Sequence, residues 1–177
     1  MGEVLYFAYG SNMDPGTLGG RRGIPWRRAT AALARGWKLS FDKPSLLGTG
    51  EGMATIHADP ASETWGVLYE IAAADLEHLE LTEGVRIGHY ARVPVVVVPA
   101  VAWDGRDEVE AITLASDQRD PAIRPTTRYM RLLLAGAAEH GLPPAWIEML
   151  SRVEAVEESE ASAAMRPWVD QGIKRPS

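Results

Sequence analysis

Apolar positions along the chain change period several times, and the changes outline a mixed fold. Val4-Leu5-Tyr6-Phe7-Ala8-Tyr9 is a continuous apolar run, as a buried strand should be, and it breaks at Gly10 in the tetrapeptide Tyr9-Gly10-Ser11-Asn12. Residues 14–20 suit a short helix. Strands are expected over 35–41 and 53–58, parted by a loop, 42–52, that holds Pro44, Gly48, Gly50 and Gly52 and can close over a ligand. Trp65, Val67, Tyr69 and Ile71 then alternate with Gly66, Leu68 and Glu70, the period of a strand with one face in the core. A helix is expected over 72–83, with Leu76 and Leu79 on one side and Gly84 as its stop. A valine-rich strand follows over 90–101, in which Pro94 marks an edge or a bulge, and 109–115 reads as its partner.

The last third takes the helical period. Pro125 and a Thr126 cap open a helix with Tyr129, Leu132, Leu133, Gly136, Ala137 and His140 on one face, and Gly141 with Pro143-Pro144 ends it. A second helix buries Trp146, Met149, Leu150 and Val153. No segment repeats. Strands with uneven helical insertions, followed by helices, predict an α+β fold. Residues 1–153 read as one domain, and 154–177 as an acidic, alanine-rich extension that either docks through Trp168 or stays mobile.

Composition narrows the chemistry. A chain of 177 residues, 46% hydrophobic and 24% charged, is an ordinary globular domain. Its net charge of -6 and pI near 5.2 argue against a general grip on nucleic acid or anionic membrane and favour a small-molecule partner. A second copy of the chain is a partner that the sequence leaves open. With no cysteine, disulfides, thiolate metal sites and cysteine nucleophiles are excluded. The amino terminus lacks a basic leader and no run approaches a membrane span, so a cytoplasmic protein is expected. Four arginines fall within positions 21–28, but Gly23 and Pro25 interrupt them, and a solvated surface loop is the expected reading.

His57, His78, His89 and His140 show no metal-binding spacing, and no metal is expected. Ser11 lacks the Gly-x-Ser-x-Gly elbow of a serine nucleophile, and the glycines form neither a phosphate loop nor a dinucleotide fingerprint. Two features remain. The turn at Tyr9-Gly10-Ser11-Asn12 can present backbone N–H groups to a ligand, while Ser11 or Asn12, the chain's single asparagine, can instead cap the next helix. Glu83 falls at a helix carboxyl end with Glu80 one turn back. The helix dipole and the like charge both push a carboxyl toward neutrality, as a general base that must later act as an acid requires.

Tyr-Phe-Ala-Tyr-Gly-Ser-Asn at 6–12, Met53-Ala54-Thr55-Ile56 after the glycine-rich loop, Trp65-Gly66-Val67, and Glu83-Gly84-Val85 with Tyr90 seven residues past the glutamate form an ordered set. With Tyr129 and the segment from Gly136 to Pro143, this set resembles the γ-glutamylcyclotransferases over roughly residues 4–145. The resemblance implies a compact mixed β-barrel flanked by helices. It also implies an acyl transfer of the lyase/transferase class, in the sphere of glutathione metabolism, that releases 5-oxoproline and a free amine with no cofactor or metal. It would place the ligand-binding turn on Tyr6, Phe7, Ala8, Tyr9, Gly10 and Ser11, the acid/base on Glu83 and a substrate contact on Tyr129, with Tyr90 a lesser pocket residue. In such a reaction the substrate's own α-amine attacks its γ-carbonyl. The turn's N–H groups would then stabilise the oxyanion or hold the α-carboxylate. The chain departs from the family in its arginine-rich segment and acidic carboxyl-terminal region, which bear on the leaving group more than on the reaction. Two other readings keep the pocket: the same chemistry on a γ-glutamyl-protected natural-product intermediate, and a γ-glutamyl-binding module without turnover.

Overall fold

In a computed structural model that describes residues 2–172, two long strands carry most of the sheet. β2 (Arg28–Pro44) and β3 (Gly52–Ala72) form an antiparallel hairpin. The separate strands expected at 53–58 and 65–71 are therefore one. The sequence between them, Asp-Pro-Ala-Ser at 59–62, has turn chemistry, and Asp59 accepts from Ala61 N–H and the Ser62 hydroxyl. That local turn is absorbed as a bulge, because the β2–β3 register shifts between Arg35 and Trp37 and the pairing resumes on the far side.

β1 (Glu3–Ala8) lies antiparallel to β3, from Glu3 opposite Ala72 to Ala8 opposite Val67. β4 (Ala91–Pro99) and β5 (Val109–Ala115) form a second antiparallel pair, as expected. β4 meets β2 only at Val98 and Pro99, and β5 meets β1 in parallel at Tyr6 and Ile112, which closes a five-stranded barrel in the order β1-β3-β2-β4-β5. The short β2–β4 seam explains Pro94. It sits where β4 is paired on one side only, so its missing N–H leaves no gap in a ladder.

The core is the barrel interior together with the helix faces laid on it, and Phe7, Ile56, Val67, Leu68, Tyr69 and Leu79 are fully buried there. α1 (Ala73–Thr82) continues directly from β3, packs on β1 and β3, and ends where Gly84 takes a left-handed backbone at φ 70°. α2 (Thr127–Glu139) starts at Thr126, whose side chain accepts the Tyr129 N–H at 3.1 Å. α3 (Pro144–Ser151) follows and packs on α2, although Met149 lies 37% exposed.

The acidic segment contains α4 (Glu160–Gly172). Trp168 is 71% exposed, so it is not the anchor that its size suggests. The segment is attached through backbone pairing of Val156 with Pro125 and Thr127, through Ser162 Oγ donating to Glu51 at 2.8 Å, and through an Arg21–Asp170 ion pair. No helix among the described residues is long and apolar enough to cross a membrane.

Candidate active site

The chain leaves the barrel at Ala8 and turns at once, through Tyr9 and Gly10, into a 3-10 turn, Ser11–Met13. Close approach on two sides fixes this turn. A Cβ on Gly10 would lie 3.1 Å from the Tyr129 hydroxyl, and one on Gly136 would lie 2.5 Å from the Met13 carbonyl carbon. α2 therefore presses its backbone against the turn, and only glycine permits the contact. Tyr69, donating to the Met13 carbonyl at 2.9 Å, holds the far side.

Helix capping does not account for Ser11 or Asn12. The next helical turn, Gly16–Arg21, is instead opened by Asp14, which accepts the Thr17 N–H and hydroxyl at 2.7 and 2.8 Å. Asn12 is buried and turned the other way. Its amide donates to the Tyr6 hydroxyl and to Glu83 Oε1, both at 3.1 Å, while its carbonyl accepts from Arg22 Nε at 2.8 Å. Arg22 reaches Glu83 Oε1 at 2.5 Å and also donates to the Thr82 hydroxyl. Turn, arginine segment and the end of α1 thus close into one network around the Glu83 carboxylate.

This network corrects the surface-loop reading of the arginine cluster. Arg27 pairs with Glu3 and Arg28 with Asp104 on the exposed surface, and Arg28 also reaches in to the buried Glu70. Arg22 has a side chain only 8% exposed and belongs to the site. Glu80 does not act as expected either, because Arg92 engages its carboxylate.

Around Glu83 stand four tyrosines. Tyr90 donates to the Ala54 carbonyl at 2.9 Å, the Tyr129 hydroxyl accepts from Ala54 N–H at 3.2 Å, and Tyr9 donates to the Leu114 carbonyl. Burial, reinforced by nearby phenols and Glu83, pushes Tyr6, Tyr9 and Tyr90 above the usual phenol range. Burial pushes Tyr129 up to about 12 against the opposing N–H groups of Ala54 and Ser11. All four remain protonated near neutral pH.

These groups line an inner recess of about 60 Å³ that opens into an outer chamber of about 400 Å³. Ser11, Arg22, Met53, Glu83, Tyr90 and Tyr129 line both, so Glu83 stands where the two meet. The outer chamber has apolar walls, among them Leu46 and Leu47 of the glycine-rich turn, and α4 contributes Arg166 and Val169. Of the residues expected to bind ligand, Tyr6, Tyr9, Gly10, Ser11 and Tyr129 face the recess. Phe7 and Ala8 do not: both are buried in β1 and line neither chamber. They precede the point where β1 leaves the barrel, so the pairing with β3 keeps them in the sheet.

Local sequence does not single out Arg22 or Lys43, and it marks Asn12 only as the chain's single asparagine and a candidate cap. Arg22 and Asn12 find partners far along the chain. Lys43, in β2, is fully buried beside His89, with Nζ 2.6 Å from Nε2, 4.6 Å above the Tyr90 ring, and donating to the Pro44 carbonyl at 2.6 Å. Burial lowers its pKa to about 8, against an upward pull from Glu83, and burial lowers that of His89 as well.

A family model described as the AIG2-like family matches residues 63–150, a stretch that contains Glu83, Tyr90 and Tyr129 but not the opening turn. The chain is 29% identical to γ-glutamylcyclotransferase of Bos taurus and 30% identical to γ-glutamylcyclotransferase of Homo sapiens. Each match covers 98% of this chain and 89% of the relative. A solved structure titled γ-glutamyl cyclotransferase superposes with a TM-score of 0.76 at 26% identity, covering 97% of this chain and all of that one. With the barrel and its flanking helices shared, and the likeness to the human protein running over nearly the whole length, the chain belongs to the γ-glutamylcyclotransferase family of enzymes.

Proposed function

We propose that this protein cyclises a small γ-glutamyl compound to 5-oxoproline and a free amine, with Glu83 as the general acid/base. One observation carries the reading: among the described residues lining the inner recess, Glu83 is the one carboxylate. The other ionisable groups there are Arg22 and the four phenols. The small recess suits a curled γ-glutamyl head, and the larger chamber suits the group that leaves.

Glu83 takes one proton from the α-ammonium, and the freed amine attacks the γ-carbonyl carbon to form a five-membered ring. Glu83 passes that proton to the amide nitrogen as its bond to carbon breaks. It then removes the second proton from the ring nitrogen, which leaves with the departing amine as ammonium. Curling the substrate makes the attack intramolecular, worth several kcal/mol on the roughly 7–11 kcal/mol scale of well-oriented systems. Arg22 and Asn12 hold the carboxylate without occupying all of its lone pairs, because both donate to Oε1.

The test is 5-oxoproline release, measured by mass spectrometry across a panel of γ-glutamyl donors. Glu83→Gln should lower turnover by at least about 100-fold, the lower end for loss of a general acid/base, when assayed well below its own melting temperature, which falls because buried Arg22 loses its counter-charge. Turnover within a few-fold of wild type would remove Glu83 from the role. Ligand binding without ring closure in the wild type would make the protein a binding module.

A further inference from the structure

Four arginines, at 21, 22, 128 and 166, line the outer chamber. Three are neutralised inside the protein: Arg22 by Glu83, Arg21 by Asp170 and Arg166 by Glu158. Arg128 is not. It stands half-buried in the first turn of α2, directly before Tyr129, and among the described residues no carboxylate forms an ion pair with it. The surroundings do not favour its charge. Desolvation acts first against it, then Arg166 and Arg21, with Asp170 and Glu51 pulling weakly the other way. Glu51, another acid of the wall, accepts from the hydroxyls of Ser162 at 2.8 Å and Thr49 at 3.3 Å and forms no ion pair with Arg128 among the described residues. A partly desolvated guanidinium among other guanidinium groups is a costly arrangement unless an anion completes it.

What enters this chamber follows from the proposed reaction, on which the inference rests. The glutamyl head lies in the recess, Glu83 stands at the junction, and the departing group extends past it along the wall that carries Arg128. We propose that Arg128 is a specificity residue that binds a carboxylate on the leaving group, so that the protein selects γ-glutamyl amino acids over γ-glutamyl amines of the same shape. The guanidinium can grip a carboxylate through two parallel hydrogen bonds. The apolar walls at Leu46, Leu47 and Leu132 would take that amino acid's side chain.

Two compounds isolate the carboxylate: γ-glutamyl-alanine and γ-glutamyl-ethylamide, which lacks only that group. In the wild type, kcat/KM should favour the first by on the order of 10-fold or more, as one charge-assisted hydrogen-bonded pair provides. Arg128→Gln should bring the ratio toward one through a raised KM for γ-glutamyl-alanine, and Arg128→Lys should restore part of it. Because the ratio is taken within each variant, partial misfolding cancels. A ratio near one in the wild type, or a ratio unchanged in Arg128→Gln, overturns the assignment. If the wild type releases no 5-oxoproline from either compound, the cyclisation reading fails. Calorimetric binding of the same pair to wild type and Arg128→Gln then decides the carboxylate site alone.

Discussion

Replacing Arg22 with methionine removes one guanidinium and leaves three acceptors, on Asn12, Thr82 and Glu83, without their donor. Methionine keeps much of the aliphatic bulk, so the loss is mainly electrostatic. The Glu83 side chain is 19% exposed, and its remaining protein partner is the Asn12 amide at 3.1 Å. Removing one member of a buried pair costs about 3–5 kcal/mol, because the other charge stays behind uncompensated. Partial exposure of Glu83 places the expected loss near the lower end, about 3 kcal/mol, a large fraction of the 5–15 kcal/mol typical of a domain.

Two features separate this outcome from general damage. The loss should shrink in a Glu83→Gln background, where a neutral amide no longer needs a cation. Arg22→Lys should recover only part of it, since an ammonium cannot span three acceptors that a planar guanidinium reaches from Nε and both terminal nitrogens. Denaturant unfolding of the single and double variants, run beside 5-oxoproline release, measures both. Destabilisation under 0.5 kcal/mol, the range of an ordinary surface substitution, with activity intact would return Arg22 to the solvated loop and dissolve the network argument.

Lys43 offers a pH test. Its pKa falls from 10.5 to about 8 on folding, so between those values the unfolded chain holds more protons at this site and Lys43 contributes a rise in stability with pH of about 3 kcal/mol. The rise is read as the difference between wild type and Lys43→Met, because the buried tyrosines, raised in both, act in the opposite sense. Lys43→Met should lack the rise, and parallel unfolding curves for the two proteins from neutral pH to near 10.5 would contradict it. At Gly136, alanine should cost more than the roughly 1 kcal/mol gained from helix propensity, because its Cβ would meet the Met13 carbonyl carbon at 2.5 Å. The displaced turn should lower kcat/KM beyond what the melting temperature explains, and an equally stable, equally active variant would contradict this.

The parts of the molecule legible in the sequence are those whose cause is local. Gly84 ends α1 because of its own backbone, which places Glu83 at the cap. Thr126 opens α2 by bonding three residues ahead, and Pro94 announces an unpaired strand edge. Where a local signal and the closed barrel disagreed, the barrel prevailed. Asp59 and Ser62 form the turn their chemistry predicts, yet β3 runs on through it because its two ends pair with β2. The network around Glu83 has no local cause at all. Arg22 meets its carboxylate across 61 positions, and Asn12 across 71. A cluster of arginines has the same local sequence whether one of them points inward or not. Lys43, at the end of a strand beside a proline, gives no sign of being buried.

The two chambers differ in how tightly they are constrained, and the difference separates reaction from specificity. Around the recess, a methyl group on Gly10 or Gly136 already meets neighbouring atoms, and the Glu83 carboxylate sits in a closed set of donors. Small changes there disturb the acid/base group itself. The outer chamber is built differently, from the tip of the β2–β3 hairpin, where Leu46 is 54% exposed, and from a terminal helix held by a few polar contacts. Side chains on those elements can change size or charge without moving Glu83, Asn12 or Arg22. Arg128 lies between the two regimes, since its backbone belongs to the helix that clamps the turn while its side chain faces the adaptable wall. A substitution there should alter which group leaves and preserve how it leaves, which makes it the position at which substrate choice can be separated from proton transfer.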